Sequence, residues 1–455
     1  MSILGALLGG ALLLIWPAFL NGYPIQFVDT IAYLLHTITG EAPWDKTQVY
    51  GPFLLLFHGG ISLWGAVLAQ GAILSALLWL VQRVAVGEAL AARHMVLCLS
   101  LALLTTGPWF VATIMPDFFT PIVALCLFLL GFGEKRLSGR ERLAVGLIGT
   151  LAIAVHLSHL PVALALVVLV VLVRRQWRPV LRVATPMLAA MLLLVATNLY
   201  SFGRATLSPH GAVFMLARLQ ADGSAVRTLR DNCPQSGWYL CDFIDRMPMN
   251  SDTFLWDPTS PPARDAAGNP RPGGAAMLAP EARTVVAATL RDYPWMVAKA
   301  SVANAFEQVF KARLGDTFDP TDLDEFATRV LARGFPPAER ARFEASAQMR
   351  GDLGRYAAPF IRLHQAVLIV TTLAALAAWW RLWRRSWRGP EDAPLLGLVL
   401  CMMVAVAANA FATGALSAPH LRYGARIAWL LPLAAALAWW PWRARLGAIS
   451  SGVTR

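Results

Sequence analysis

Charged residues are scarce in this chain: they account for 15% of its 455 residues, while hydrophobic residues account for 57%. Soluble domains carry about 25% charged residues, so the composition disfavours an ordinary soluble protein. The chain also lacks the alternating segments of about ten residues that build a membrane β-barrel. It contains recurrent apolar runs instead, and a helix needs about 20 such residues to cross a bilayer. The sequence therefore predicts an all-α polytopic membrane protein.

Signals for several other classes of protein are missing as well. There is no internal repeat and no glycine-rich phosphate loop after a strand. The first 24 residues lack a basic stretch and an A-x-A cleavage site, so we expect an uncleaved first helix rather than a signal peptide. No basic stripe with interleaved aromatics occurs outside the loops, which disfavours nucleic acid despite a net charge of +12. In a membrane protein that charge is typical of arginine in cytoplasmic loops and of contact with anionic lipid.

Only five cysteines occur. Three of them, Cys98, Cys126 and Cys401, lie in apolar runs, where cysteine behaves as a small hydrophobe. The other two, Cys233 and Cys241, lie in the one long polar segment. If that segment is outside the cytoplasm, a disulfide between them is possible; the alternative is that both stay reduced.

The apolar runs predict ten membrane spans. The spans cover about 3–20, 62–82, 95–112, 118–133, 143–156, 160–173, 183–200, 359–380, 393–413 and 426–441. Lysine and arginine follow every even-numbered span, whereas the opposite short connections 112–117 and 156–159 carry none and 21–50 carries only Lys46. The exceptions are Arg422 and Arg426, in the outer turn before span 10. By the positive-inside rule, both termini are then cytoplasmic.

This map divides the chain into three parts. Residues 1–200 form a transmembrane module of seven spans, whose first outer loop, 21–61, contains two amphipathic stretches that we expect to be juxtamembrane helices. Residues 201–358 form a large outer insertion of helices and irregular loop. Residues 359–455 form the last three spans and a cytoplasmic tail.

Ionisable residues collect in four of the predicted outer connections. They are Asp29, Asp117, His156, His159, His420, Arg422 and Arg426. Such residues near the apolar region are unfavourable and are often functional. Plainer explanations remain open: Asp117 suits a helix N-cap, the two histidines between spans 5 and 6 suit the interface, and Arg422 suits lipid phosphates. A plain structural role explains Asp29 less well, because the apolar residues Phe27 and Ile31 flank this charge.

A carboxylate and an arginine at one membrane face suit a particular chemistry. Transfer of a sugar from a lipid phosphate needs a base that takes the proton of the acceptor. It also needs cations that stabilise the phosphate leaving group, which the planar fork of arginine supplies.

Four stretches of the chain resemble the GT-C superfamily of membrane glycosyltransferases, especially its aminoarabinose transferase and protein O-mannosyltransferase branches. The stretches are "FVDTIAYL" in the first outer loop, "TQVYGPFLLLFHGGISLWGAVLAQGAILSALLWLVQR" through span 2, "MPDFFTPIVALCLFLL" at span 4 and "APHLRYGARIAWLLPL" before span 10. The first has one acid where the mannosyltransferases have an adjacent pair, and "VYGP" stands for their Pro-x-Tyr-Pro. The resemblance covers about 1–200 and 359–441.

The resemblance implies a role for each matching residue. Asp29 is the expected catalytic base, and Asp117 a second acid that orients the acceptor or the sugar. Arg422 is expected to hold the donor phosphate, with His420 and Tyr423 beside it. Further candidates are His159 for phosphate or sugar contact and Tyr33, Tyr50, His156 and Arg426 for the substrate cavity. Some members use a divalent metal such as Mg²⁺ or Mn²⁺ and others none; Asp29 and Asp117 are the residues that would share one.

The resemblance thus predicts an inverting glycosyltransferase of the bacterial inner membrane with its active site on the periplasmic side. Its donor is a polyprenyl-phosphate-linked sugar, and its acceptor is a glycan, a glycolipid or a protein. A transporter or flippase is the alternative, since intramembrane charges also mark transport paths. A non-catalytic assembly factor with a transferase-like frame is a third interpretation.

Overall fold

The computed structural model describes residues 2–321, 323–386 and 393–439, and within these ranges the chain is helical and contains no strand. In chain order the α-helices are α1 Ile3–Leu14, α2 Trp16–Asn21, α3 Val28–Thr39, α4 Tyr50–His58, α5 Trp64–Val86, α6 Ala91–Leu104, α7 Gly107–Val111, α8 Phe119–Phe132, α9 Gly139–Ala154, α10 His159–Arg174, α11 Trp177–Phe202, α12 Gly211–Ala221, α13 Ser224–Asn232, α14 Ser251–Trp256, α15 Ala279–Asp292, α16 Pro294–Phe310, α17 Asp324–Gly334, α18 Pro337–Glu344, α19 Leu353–Ser386, α20 Ala393–Leu416, α21 Leu421–Ala428 and α22 Leu430–Trp439. Short 3₁₀ helices cover Pro116–Phe118, Tyr239–Arg246 and Gly274–Leu278.

Four of the described helices are long and apolar enough to cross a bilayer. They are α5, α11, α19 and α20. The chain therefore has the features of a helical membrane protein, whereas ten crossings remain a prediction. Every predicted span coincides with a helix or with two consecutive ones, and the last residues of the tenth span and the tail after it lie outside the described residues.

Three predicted spans are each divided into two helices. Span 10 is divided at Trp429, between α21 and α22, and the other two are spans 1 and 3. Span 1 is divided at Ile15 and span 3 at Thr105 and Thr106. In both, a proline stands in the first turn of the second helix, Pro17 in α2 and Pro108 in α7. Proline has no amide hydrogen and is tolerated there, but it does not extend a helix from the preceding turn.

The first outer loop contains two helices where the sequence predicts amphipathic stretches. These are α3 and α4, and each ends at a glycine in the left-handed region, Gly40 with φ of 74° and Gly59 with φ of 53°. Residues with a Cβ atom adopt this conformation at a steric penalty that glycine avoids. The two glycines thus allow the loop to turn back twice within about 40 residues of backbone.

The large insertion is divided between two hydrophobic cores. Its first half has a core of its own, which runs from Val213 to Val297. Residues from Leu314 to Leu353 pack instead into the main core, together with the transmembrane helices. Cys233 and Cys241 lie in the first half, where the structure joins them in a disulfide. The predicted segment 201–358 therefore consists of two differently attached parts.

Hydrogen bonds fasten the second half of the insertion to the first outer loop. The buried carboxylate of Glu339 in α18 accepts from Tyr23 Oη (2.9 Å), Ser62 Oγ (2.7 Å) and the Leu63 amide (3.1 Å). Gln348 accepts from the Gln26 amide at 3.1 Å and donates to the Gln26 carbonyl at 2.7 Å. These bonds hold both ends of the loop that carries α3 and α4.

A short backbone bridge joins the first outer loop to the turn that precedes α8. The Ile25 amide donates to the Ala112 carbonyl at 3.0 Å, and the Ile114 amide donates to the Ile25 carbonyl at 2.9 Å. Thr30 Oγ1 donates to the Ile114 carbonyl at 2.7 Å. The segments that carry Asp29 and Asp117 are thereby held side by side.

Candidate functional site

Asp29 lies in the first turn of α3 and faces two cations. Lys46 Nζ donates to its Oδ1 at 2.8 Å, and Arg422 Nη1 lies 3.7 Å from its Oδ2. Lys46 also pairs with Asp45 at 2.9 Å. A carboxylate in the first turn of a helix is favoured by the helix dipole, and here two side-chain charges add to that effect. The juxtamembrane loop and α21 therefore meet at Asp29.

Asp29 is a strongly ionised carboxylate. Burial alone would raise its pKa, but the charges of Lys46 and Arg422 and the hydrogen bond from Lys46 lower it to about 2. For Lys46, burial works against the charged form, but Asp29 and Asp45 outweigh burial and raise the pKa. Both groups are thus charged at neutral pH, and each stabilises the charge of the other.

Arg422 is held by aromatic rings and by a carboxylate from the insertion. Its guanidinium lies 4.3 Å from the centre of the Phe27 ring and 4.9 Å from that of Tyr423, whose hydroxyl accepts from Nη2 at 3.2 Å. The Arg422 amide donates to Asp316 Oδ2 at 2.9 Å. Nη1 of Arg422 and Oδ1 of Asp316 are buried and have no hydrogen-bond partner among the described residues. The site therefore holds one donor and one acceptor that no hydrogen bond satisfies, and this donor is the Nη1 that forms the 3.7 Å ion pair with Asp29.

Asp117 belongs to a second, deeper ion pair. Its Oδ1 lies 3.1 Å from Arg426 Nη1, and the Arg426 side chain is 0% exposed. Arg426 Nη2 also donates to Asn409 Oδ1 at 2.9 Å and to Ser158 Oγ at 3.1 Å. Asp117 therefore acts as the counter-ion of a buried arginine, and both are enclosed by α8, α20 and the turn before α10.

The two ion pairs belong to one electrostatic cluster. Burial would lower the pKa of Arg422, but Tyr423, Asp117 and Asp29 raise it. Burial first, and then Arg426, Lys46 and Arg422, lower the pKa of His156 to about 3, while Asp29 opposes this shift. His156 is neutral at physiological pH, and its Nδ1 lies 2.8 Å from Ser158 Oγ, which also binds Arg426. A chain of polar contacts thus runs from His156 to Asp117.

His159 is fixed by the helices around it. It is fully buried, with Nε2 at 2.8 Å from Thr120 Oγ1 and Nδ1 at 2.6 Å from the Ala152 carbonyl. Both ring nitrogens are therefore engaged by the protein. In this arrangement neither ring nitrogen is free to bind a phosphate or a sugar. The centre of the ring lies 5.4 Å from the centre of the His156 ring.

Two residues of α14 reach the site from the insertion. Asp252 Oδ2 lies 3.1 Å from His420 Nε2, and this hydrogen bond lowers the pKa of Asp252. One turn further along, the half-exposed ring of Trp256 lies 5.8 Å from Lys46 Nζ and 5.8 Å from the ring of Trp44. The helix α14 therefore lies beside Lys46 and beside His420, which precedes the helix that carries Arg422.

Tyr33 and Tyr50 of the first outer loop are buried. Their rings meet edge to face at 4.9 Å, and Tyr50 Oη donates to Gln70 Oε1 at 3.1 Å. Gln70 in turn donates to the Val111 carbonyl at 2.7 Å. Burial and the charges of Asp29, Asp45 and Asp117 raise the pKa of Tyr33, so its hydroxyl stays protonated. Tyr33 lies among three carboxylates, whereas Tyr50 anchors α4 to α5.

The sequence interpretation missed several of these residues. Lys46, Asp45, Asp252, Asp316 and Asn409 all lie in the cluster. Only Lys46 carried a visible signal, because it is the single cation of the first outer loop. The acids of the insertion carried none, since a polar segment contains many acids.

The donor groups of the site do not suit a resident metal ion. Among the described residues, no group of three or more histidine, cysteine, aspartate or glutamate side chains is placed to hold one. Asp29 and Asp117, which the sequence suggests as shared ligands, each face cations of the protein instead.

Comparisons with known proteins leave the family open. No protein-family model matches the chain, and neither the curated proteins nor the solved structures contain a match to it.

Proposed function

We propose that the protein is an inverting glycosyltransferase that moves a sugar from a polyprenyl-phosphate donor to a glycan, lipid or protein acceptor at the outer face of a bacterial inner membrane. The observation that supports this most is the position of Asp29 between Lys46 and Arg422. It brings together a carboxylate and two cations, which are the groups that a general base and the ligands of a phosphate leaving group require.

In the proposed reaction, an acceptor hydroxyl loses its proton to Asp29. Its oxygen forms a bond to the anomeric carbon of the sugar while the bond from that carbon to the phosphate oxygen breaks. The electron pair of the broken bond stays on the phosphate, which leaves as polyprenyl phosphate. Arg422 and Lys46 stabilise the charge that develops on it. One displacement inverts the anomeric centre.

Donor binding itself activates the base in this proposal. A carboxylate with a pKa of about 2 is a weak base, because the pKa of an efficient base lies near the operating pH. A donor phosphate that binds Lys46 and Arg422 neutralises the charges that lower the pKa of Asp29. The pKa then rises, since burial, which is the largest influence on this carboxyl, acts in that direction. Nη1 of Arg422 makes no hydrogen bond and only a 3.7 Å ion pair with Asp29, and it is the first contact that we assign to the phosphate.

Other residues of the site act around this centre. Tyr423 and Phe27 hold the guanidinium of Arg422 in place, and His420 ties its helix to Asp252 of the insertion. Asp117 keeps Arg426 neutralised beneath the site. Trp256 presents a half-exposed ring beside Lys46, which suits stacking against a sugar of the donor or acceptor.

A flippase or transporter is the second candidate, and the buried pair of Asp117 and Arg426 is the feature that favours it. Buried charges between helices also occur along transport paths. The two proposals differ at Asp29: a transferase needs it for chemistry, whereas a flippase transfers no sugar.

Three variants test the proposal: Asp29→Asn, Arg422→Ala and, as a matched control, Asp45→Asn. Asp45 is also a carboxylate on Lys46, with 11% side-chain exposure, but only Asp29 is paired with Arg422 as well. We expect Asp29→Asn to reduce transfer by about 10²–10⁴-fold, the usual range for a general base. Asp45→Asn is expected to reduce it far less. The readout is the surface glycans and glycolipids of cells that express each variant at equal membrane levels.

Binding of sugar-free undecaprenyl phosphate to the purified protein separates the roles. Arg422→Ala should weaken binding, while Asp29→Asn should preserve or strengthen it, because the lost carboxylate competes with phosphate for both cations. Unchanged glycans in both Asp29→Asn and Arg422→Ala would refute the proposal that the protein is a transferase. Altered glycans in Asp45→Asn but not in Asp29→Asn would refute the role of Asp29.

A further inference from the structure

The C-terminal half of α16 presents a row of large apolar side chains to its surroundings. The row consists of Val302, Phe306, Val309 and Phe310, which are 64%, 67%, 52% and 73% exposed. Their spacing of four, then three and four residues places them on one stripe of the helix. A contiguous exposed apolar stripe of this kind indicates a surface that is covered by another apolar phase.

The opposite side of the same helix half packs against α20. A Cβ atom at Gly414 would lie 2.5 Å from the carbonyl oxygen of Asn304, so the two backbones are in close contact there. Beyond the end of α20, Gln308 and the backbone of His420 exchange two hydrogen bonds of 2.9 Å. The helix is thus fixed against the end of α20 rather than loosely appended.

The two halves of α16 have different environments. Val297, in the first half, packs into the separate core of the insertion. The second half lies beside α20, which is long and apolar enough to cross a bilayer. On α20 itself Phe411 and Leu416 are 51% and 43% exposed, near the same end as Gly414. The apolar stripe of α16 therefore lies on a helix packed against a membrane-spanning candidate that itself has exposed apolar residues near the same end.

The charges of this half of α16 suit the boundary of a bilayer. Glu307 and Lys311 form an ion pair of 2.7 Å, so the two charges neutralise each other beside the stripe. Helices that lie in a membrane interface combine an apolar face with charged residues and are immersed by about 5–10 Å.

We propose that the C-terminal half of α16 lies in the interface of the lipid bilayer beside α20, with Val302, Phe306 and Phe310 in contact with acyl chains. The insertion is then attached to the membrane surface as well as to the transmembrane helices. This inference is independent of the reaction that the protein catalyses.

Spin labels on single cysteines test the position of the stripe. The variants are Val302→Cys, Phe306→Cys and Phe310→Cys, in the full chain reconstituted into phosphatidylethanolamine and phosphatidylglycerol vesicles. Phe411→Cys on α20 serves as the lipid-exposed reference, and Ala266→Cys, in an exposed polar turn of the insertion, as the water-exposed one. The three native free cysteines are buried, so labelling is expected at the introduced residue.

The measurement is collision of each label with oxygen, which concentrates in lipid, and with a water-soluble nickel chelate. We expect the ratio of oxygen to nickel collisions on the stripe to match Phe411→Cys and to exceed that of Ala266→Cys. A ratio equal to that of Ala266→Cys would overturn the proposal. Labels shielded from both reagents would overturn it too, because the stripe would then be covered by protein. Because three neighbouring positions are labelled, the other two still test the proposal if one variant misfolds.

Discussion

At the scale of single residues, Asp29 and Asp117 are both aspartates near the membrane boundary, yet their surroundings differ. Asp29 is one quarter exposed, shares Lys46 with Asp45 and also faces Arg422, whereas the side chain of Asp117 is 4% exposed and faces one fully buried arginine. A partly accessible carboxylate can exchange partners with a substrate. The buried carboxylate of Asp117 cannot do so without leaving the charge of Arg426 unpaired.

Removal of either partner of the buried pair should therefore destabilise the protein strongly. We expect Asp117→Asn and Arg426→Met each to lower the free energy of unfolding, by about 3–5 kcal/mol when an uncompensated buried charge is left behind. The double variant Asp117→Leu with Arg426→Met should recover most of this loss, because no charge remains buried. Thermal unfolding in detergent measures both effects.

The double variant also separates a structural from a chemical role. If Asp117 serves only as a counter-ion, the double variant should regain glycan transfer together with stability. Recovered stability without transfer would assign Asp117 a part in the reaction. Single variants as stable as the parent protein would contradict the importance of the pair.

Some residues of the site could be predicted from the sequence, and others could not. The motifs around Asp29 and Arg422 placed two residues almost 400 positions apart in one site, and the structure has them 3.7 Å apart. Asp316 could not be predicted, because its contact with the Arg422 backbone depends on how the insertion folds back. His159 looked available beside His156, but its ring nitrogens find partners on α8 and α9.

At the scale of elements, α18 has more influence on the first outer loop than its length of eight residues suggests. Its residue Glu339 is the common acceptor for Tyr23, Ser62 and Leu63, two of which are fully buried. Since buried donors lose their water on folding, they depend on this carboxylate. The helix therefore holds the ends of the loop that positions Asp29.

Replacement of Glu339 by alanine should destabilise the protein more than the same replacement of Glu344, which lies on the same helix. Glu339→Ala leaves the Tyr23 hydroxyl and the Leu63 amide without an acceptor, at about 1–3 kcal/mol for each group. Glu344→Ala removes an exposed carboxylate whose pair with Arg340 at 3.2 Å contributes less than about 1 kcal/mol. Thermal unfolding and proteolysis of the loop should separate the two variants; equal behaviour would contradict the proposed function of α18.

The element scale shows why the sequence predicted one insertion where the structure has two parts. Hydrophobic periodicity locates helices, but it does not say which core each helix joins. The residues that fasten the second part, Glu339 and Gln348, are polar and look like surface residues in the sequence. Only their long-range partners reveal that they are buried.

At the scale of the whole molecule, polar contacts join three of the predicted basic connections, those after spans 2, 4 and 6. Arg83 at the end of α5 pairs with Glu141 of α9 at 2.6 Å, and Arg182 of α11 pairs with Glu134 after α8 at 3.0 Å. Arg136 donates to the Val84 carbonyl at 2.6 Å. Four helices therefore have basic ends that contact one another, as expected if these ends share one side of a membrane.

This arrangement predicts which surfaces an impermeant thiol reagent reaches. In spheroplasts, Ala266→Cys should be labelled directly, whereas Lys135→Cys should be labelled only after the membrane is permeabilised; both positions are exposed on the protein. The physical reason is that arginine-rich connections are retained in the cytoplasm, while a long insertion crosses largely regardless of charge. Labelling of both variants in permeabilised membranes is the control for reactivity. If Lys135→Cys reacts in intact spheroplasts and Ala266→Cys does not, the orientation of the protein is inverted. Asp29 and Arg422 would then face the cytoplasm, which would contradict the proposed reaction at the outer face of the membrane.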